Sequence, residues 1–177
     1  MAGQIITPPV WAPPVEGPMV FLAGPILGAA NWQAAAIRQL RRANADLHVA
    51  NPRCQPFHGD FEDQVDWETH HLRRAAKHGC ILFWLARESH HRCDRAFAQT
   101  SRFELGEWLG LSRAFEARIV VGVEAGFPGE RYVRWRLAKN YTNAPVCETL
   151  AVACAVAAEL AVRGPTPWDK FMRTFEG

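Results

Sequence analysis

The feature that most constrains this chain is the run Cys80-Ile81-Leu82-Phe83-Trp84-Leu85, six apolar residues with no polar alternation. A strand that is apolar on both sides must be covered on both sides, and crossover helices are the usual cover, so the run predicts a central parallel strand. Three further short apolar runs predict its partners. Met19-Val20-Phe21-Leu22-Ala23 closes on Gly24-Pro25, Leu47-His48-Val49-Ala50 ends at Asn51-Pro52, and Arg118 to Val123 forms the last. Between them lie amphipathic stretches at 29–45, 63–77 and 101–115, each with apolar residues at helical spacing. Residues 54–62 and 86–99 read as loops, and 131–139 fits strand or helix equally. The alanine-rich stretch 146–162 reads as a closing helix, with Cys147 and Cys154 on one buried face. The order β-α-β-α-β-α-β predicts a mainly parallel sheet with helices on both faces.

Residues 1–18 stand apart as an extended arm. They hold five of the twelve prolines, which fix φ and lack the ladder N–H, so the arm can be neither a helix nor a central strand. Val10 and Trp11 are its candidate anchors, on the body or on a neighbouring subunit. The rest, 19–177, reads as one domain with no internal repeat. Twenty Lys and Arg stand against eighteen Asp and Glu, a net charge of +2, which gives no basic excess for a nucleic-acid polymer. No uncharged apolar run approaches the ~18 residues of a membrane span. The N-terminus has neither Lys nor Arg and is not a secretory signal. Five cysteines, none spaced C-x-x-C, suit free thiols in a cytoplasmic protein.

In an open parallel sheet, ligands bind beyond the carboxyl ends of the strands. That edge collects Ala23-Gly24-Pro25, Asn51-Pro52-Arg53, and the loops after Leu85 and Val123. Gly24 belongs to no glycine-rich nucleotide fingerprint or P-loop; it suits a turn or a close backbone approach. Glu104 falls in the first turns of the third predicted helix, which Thr100 or Ser101 can cap. A carboxylate there either complements the helix dipole or points into the crevice. Gly106 beside it would admit a close neighbour, and Glu107 lies on nearly the same face. Asp63, Asp66 and Glu68 flank Trp67 at the start of the second helix, where the aromatic ring can raise a neighbouring carboxyl pKa by excluding water. Arg53 and Arg102 reach the same edge and would suit a 5′-phosphate. His70-His71 and His90-His91, with Cys93 and Asp94, match no zinc spacing, so neither a metal nor a cofactor is expected.

Four segments together resemble the nucleoside 2-deoxyribosyltransferase-like superfamily, which includes nucleoside deoxyribosyltransferases and related nucleotide N-glycoside hydrolases. They are Val20-Phe21-Leu22-Ala23-Gly24-Pro25, Gln64-Val65-Asp66-Trp67-Glu68, Ile81-Leu82-Phe83-Trp84 and Arg102-Phe103-Glu104-Leu105-Gly106-Glu107-Trp108, in order over about 19–123. The resemblance implies a flavodoxin/Rossmann-like three-layer sandwich with four to five strands. It also implies cleavage between a base and a ribose or deoxyribose. It places the nucleophile on Glu104, in F-E-L-G, and the second acid on Glu68, with Asp66 next. The substrate-binding candidates at this edge are Ala23, Gly24, Pro25, Trp32, Asn51, Arg53, Trp67, Ser101 and Arg102. The partners implied are a small nucleoside or nucleotide and a second copy of the chain, as a homodimer or higher homo-oligomer. The chain departs from the transferase pattern: Ala98-Gln99-Thr100-Ser101 replaces the Asp near a Gly-Thr, and the early tyrosine of the first turn is missing. A glutamate at the nucleophile position favours an enzyme over a nucleotide-sensing module, and the same carboxylate chemistry would serve a larger nucleotide such as NAD.

Overall fold

The computed structural model describes residues 2–11, 17–54, 60–115 and 117–163. The part of the arm holding Pro13 and Pro14, and most of the loop expected over 54–62, lie outside them.

The expected buried runs all form strands. β1 (Ile5–Ile6) precedes β2 (Met19–Ala23), α1 (Trp32–Ala43), β3 (His48–Ala50), α2 (Phe61–His78), β4 (Gly79–Leu85) and α3 (Gln99–Phe115). They are followed by β5 (Ile119–Val123), α4 (Glu130–Asn140), β6 (Val146–Cys147) and α5 (Leu150–Ala161). The sheet is six-stranded, in the order β1-β3-β2-β4-β5-β6, and every pair is parallel. This is the three-layer α/β sandwich of flavodoxin/Rossmann type.

Strand pleating sorts the core into two halves. Val20, Leu22, Cys80, Leu82, Trp84 and Val120 point to one face, where they meet Trp32, Ala36 and Leu40 of α1 and the alanine stripe of α5. Met19, Phe21, Ile81, Phe83, Leu85 and Val121 point to the other, against Trp67 and Leu72 of α2, Leu105 and Trp108 of α3, and Leu137 of α4. The chain moves outward from β2 to β3, then returns past β2 to β4. Right-handed crossovers therefore put α1 on one face and α2, α3 and α4 on the other. Gly122 is small for a packing reason: a Cβ there would lie 2.2 Å from the Trp84 ring.

Several expectations are corrected. The sheet has two more short strands than the four-run reading supplies, because β1 and β6 are two residues each, too short to show any pattern. β1 lies inside the arm, so the arm joins the protein's own sheet as an edge strand. The closing helix does not begin at 146. Val146 and Cys147 pair with Val121 and Gly122, and α5 begins after Thr149, whose side chain accepts from the Val152 N–H. Cys147 and Cys154 are both buried on the same face of the sheet, but on a strand and a helix. The ambiguous stretch 131–139 is helical. Among the described residues no helix is long and apolar enough to cross a membrane.

Candidate active site

The reversal of strand order between β2 and β4 opens a crevice at their carboxyl ends. Gly24 turns the chain there with φ +147°, and a Cβ would sit 2.2 Å from the Trp84 carbonyl oxygen, so glycine is required on both counts. The Trp32 indole donates to the Pro25 carbonyl at 2.9 Å and fixes this turn from the α1 side.

α2 lies over β2 and β4 and α3 over β5, and a groove of about 1030 Å³ runs between the two helices. From α2 it is lined by Asp66, Glu68, Thr69, Leu72, Arg73 and Lys77. α3 contributes Thr100, Phe103, Glu104, Glu107, Trp108 and Leu111. Both helices begin at the carboxyl edge and descend side by side, so residues two turns into each face one another. That places Glu68 opposite Glu104.

α3 starts earlier than expected. Ala98, at φ +56°, turns the chain into a helix whose first residue is Gln99. Thr100 and Ser101 therefore sit inside the first turn and do not cap it, and Glu104 falls in the second turn, too deep for a dipole role. Glu104 is half-buried, and its carboxyl is pushed up to about 8, first by burial, then by the charges of Glu68 and Glu107. Burial also raises Glu68, and a hydrogen bond donated by Gln64 Nε2 at 2.9 Å partly offsets the rise. Two carboxyl groups placed this way cannot readily both ionise, so the pair favours holding a proton. Such a pair can supply a nucleophile and an acid to one reacting bond.

The other expected residues are placed differently. Asp66 is exposed on the groove wall, half a turn of α2 before Glu68. Trp67 is fully buried against Phe21, stacks on His71 with ring centroids 4.0 Å apart, and donates from Nε1 to the Val10 carbonyl at 2.8 Å. It is a core residue that ties the arm down, not a side chain presented to the groove; replacing so buried an aromatic by Ala typically costs about 3–5 kcal/mol. Arg53 is committed to the fold: Nε donates to Gln33 Oε1 at 2.8 Å, and Nη2 to the Ile26 carbonyl at 3.0 Å. Asn51 accepts from the Arg53 N–H and gives its own N–H to the Ile6 carbonyl. Arg102 donates to the Pro128 carbonyl and lies 4.5 Å above the Phe127 ring, away from the groove. Ser101 is buried beside it in sequence. Ala23, Gly24, Pro25 and Trp32 stand at the strand edge and do not line the groove. Gly106 faces open space, with no neighbour approaching closely.

The histidines also separate. His71 is fully buried, and its ring completes the Trp67 stack, while His70 is exposed. His91 contacts Glu88 at 2.9 Å in the exposed loop after β4. Among the described residues no group of three metal-capable side chains comes together. Sequence reasoning missed the groove lining provided by Thr69, Leu72, Arg73, Phe103 and Trp11. The signal for the α2 set was present, since 65, 69, 72 and 76 recur at helical spacing, one stripe aimed past the sheet toward α3.

A parallel α/β fold with two interacting carboxyl groups between ligand-edge helices has the site geometry of a protein that handles small molecules. Comparison with protein families makes this specific: the chain belongs to the nucleoside 2-deoxyribosyltransferase like family, whose model matches residues 17–127. The matched stretch contains both carboxylates and the turn at Gly24. No curated protein matches the chain. Membership brings with it glycosyl-transfer chemistry on nucleosides in general terms.

Proposed function

We propose that this protein cleaves or transfers at the N-glycosidic bond of a nucleoside or nucleotide, with Glu104 as nucleophile and Glu68 as its acid–base partner. The observation that carries the reading is the meeting of Glu104 and Glu68 across one groove, close enough for the Glu68 charge to raise the Glu104 carboxyl. A Glu104 carboxylate oxygen attacks the anomeric carbon as the carbon–nitrogen bond breaks. The bonding pair leaves on the base nitrogen, which takes the proton of Glu68. The glycosyl ester on Glu104 is then opened by water or by a second base, which returns its proton to Glu68. Asp66, exposed at the groove wall, is the alternative partner.

The test is chromatographic detection of free base from a panel of ribo- and deoxyribonucleosides and their 5′-monophosphates, with and without a second base. Base release lost in Glu104→Gln supports the reading, and a new nucleoside formed from the added base assigns transfer. No base from any member of the panel overturns it. Cys80, Cys93, Cys147 and Cys154 are free thiols, which supports placing the reaction in a reducing, cytoplasmic compartment.

The active form in this proposal is a homodimer or higher homo-oligomer. Phe103, 74% exposed, precedes Glu104 on the groove lining, and Val65, 40% exposed, lines the same groove from α2, with exposed Phe61 one turn before it. Apolar side chains at the mouth of a reaction groove suit cover by a second copy, which would exclude water from the glycosyl ester. Light scattering at micromolar concentration should give at least twice the 19.8 kDa chain mass. A fully active monomer overturns this part of the proposal.

A further inference from the structure

Among the described residues nothing covers the outer face of α4. Tyr132 is 68% exposed and Trp135 58% exposed, three residues apart on a helix that sends Leu137 into the core. At about 3.6 residues per turn, Arg131, Trp135, Lys139, Tyr132 and Arg136 share about 140° of its circumference. All five are exposed, and no carboxylate stands among them. The charged groups of α4 that point elsewhere are already engaged. Arg134 pairs with Glu148 and donates to the Val123 carbonyl, and Glu130 accepts from the Gly126 N–H. Arg131, Arg136 and Lys139 form no ion pair among the described residues. The start of α2 has the opposite character. Phe61, Val65, Glu62 and Asp66 are exposed on a similar arc of about 140°, and no cation lies in those first two turns.

From this complementarity we propose that the basic, aromatic face of α4 docks on the acidic, apolar start of α2 in a second copy of the chain. The inference rests on the two-copy reading above and assigns the surfaces that meet. The layer order allows both contacts at once. On one face of the sheet α2 packs on β2 and β4, α3 on β5 and α4 beside β6, so α3 lies between the other two. All three helices follow parallel strands, begin at the carboxyl edge and run the same way. A two-fold axis directed along α3 therefore stacks α4 of each copy over α2 of the other, with their first turns at the same level. The contact is isologous and closes on itself as a dimer. Tyr132 and Trp135 then meet Phe61 and Val65, while Arg136 and Lys139 face Glu62 and Asp66. Trp, Tyr and Arg are the residue types that dominate protein–protein binding energy, and the opposed charges set partner and register.

The experiment is light scattering of the full chain at micromolar concentration, on wild type and on charge-reversed variants. The wild-type dimer should weaken as salt rises from about 0.05 M to about 0.5 M, because ion pairs at an interface rim are screened. Trp135→Ala, which changes no charge, should weaken self-association at least about tenfold. The Arg136→Glu, Lys139→Glu double variant should be monomeric, and so should Glu62→Lys, Asp66→Lys, since each then meets like charge at both contacts. Mixed in equal amounts, the two double variants should dimerise again, because both contacts return with their signs exchanged. That rescue also shows that each variant is folded. A dimer that persists in either double variant, or a mixture that stays monomeric, overturns the proposal. So does a monomeric wild type; a single-stranded oligonucleotide bound by that monomer and lost with Trp135→Ala would give the face to nucleic acid instead. A dimer indifferent to the charge variants keeps the two-copy reading and removes these surfaces alone. A charge-dependent dimer that releases no base keeps the surfaces and removes the glycosidic reading.

Discussion

Glu104→Gln should release base at least about 10³-fold more slowly than wild type, since removing a nucleophile removes the covalent route itself. The same variant should be more stable than wild type, and the gain should depend on pH. In the folded protein the Glu104 carboxyl titrates near 8, against an ordinary value of 4.5. Between those values the folded chain binds more protons than the unfolded chain, so stability falls as pH rises through the window. Gln carries no such dependence. Melting curves of the two proteins should therefore nearly coincide below pH 4.5 and separate progressively up to about pH 8, with the variant higher. Mass spectrometry of wild type quenched during turnover should find a sugar adduct on the peptide containing Glu104. A variant that retains wild-type turnover rates would remove Glu104 from the mechanism.

Glu68→Gln should move the pH dependence of the reaction as well as its rate. The competent form has Glu104 ionised and the pair's remaining proton on Glu68, so kcat/KM of the wild type should rise as the pair loses its first proton and fall as it loses the second, at about 8. Glu68 is one of the charges that hold the Glu104 carboxyl up. Without it, Glu104 ionises at lower pH and the falling limb at about 8 disappears. Loss of the acid that protonates the leaving base should lower kcat by about 10²–10⁴-fold at the same time. A rate profile measured from about pH 5 to 9, spanning the region where general acids and bases work, separates the two effects. A falling limb at about 8 that persists in Glu68→Gln would mean that Glu68 does not hold that proton, and the acid–base role would pass to Asp66.

The central architecture was legible in the sequence because fully buried strands show as unbroken apolar runs: 19–23, 48–50, 80–85 and 119–123 need no partner to be recognised. β1 and β6 were not legible, because a two-residue strand is specified only by the neighbour it pairs with. Glu104 and Glu68 could be nominated from their place at the ligand edge and from the family resemblance. That they meet across a groove depends on α2 and α3 sharing one face, which the crossover rule supplies and the residue pattern alone does not. Arg53 and Arg102 illustrate the opposite case. Both are near the right edge in sequence, yet each guanidinium is held by carbonyl oxygens that only tertiary structure brings near. Trp67 is buried in the core, and its hold on the Val10 carbonyl 57 residues away had no sequence signal.

β1 also has a bearing on where the sheet stops. β3 would otherwise end the sheet, presenting a row of unpaired N–H and C=O groups flanked by Val49 and Ala50. Such a bare edge is a template on which other chains can add strands without limit. Ile5 and Ile6 cover it, the Val49 and Asn51 N–H groups are taken by the Gln4 and Ile6 carbonyls, and the Gln4 N–H is given to the His48 ring. The covering strand is itself only two residues long and runs into Pro8 and Pro9, neither of which has an N–H to offer a newcomer. The arm thus ends the sheet and blunts the end it makes, so that Gln4, Ile5 and Ile6 guard against runaway strand addition as well as completing the shape.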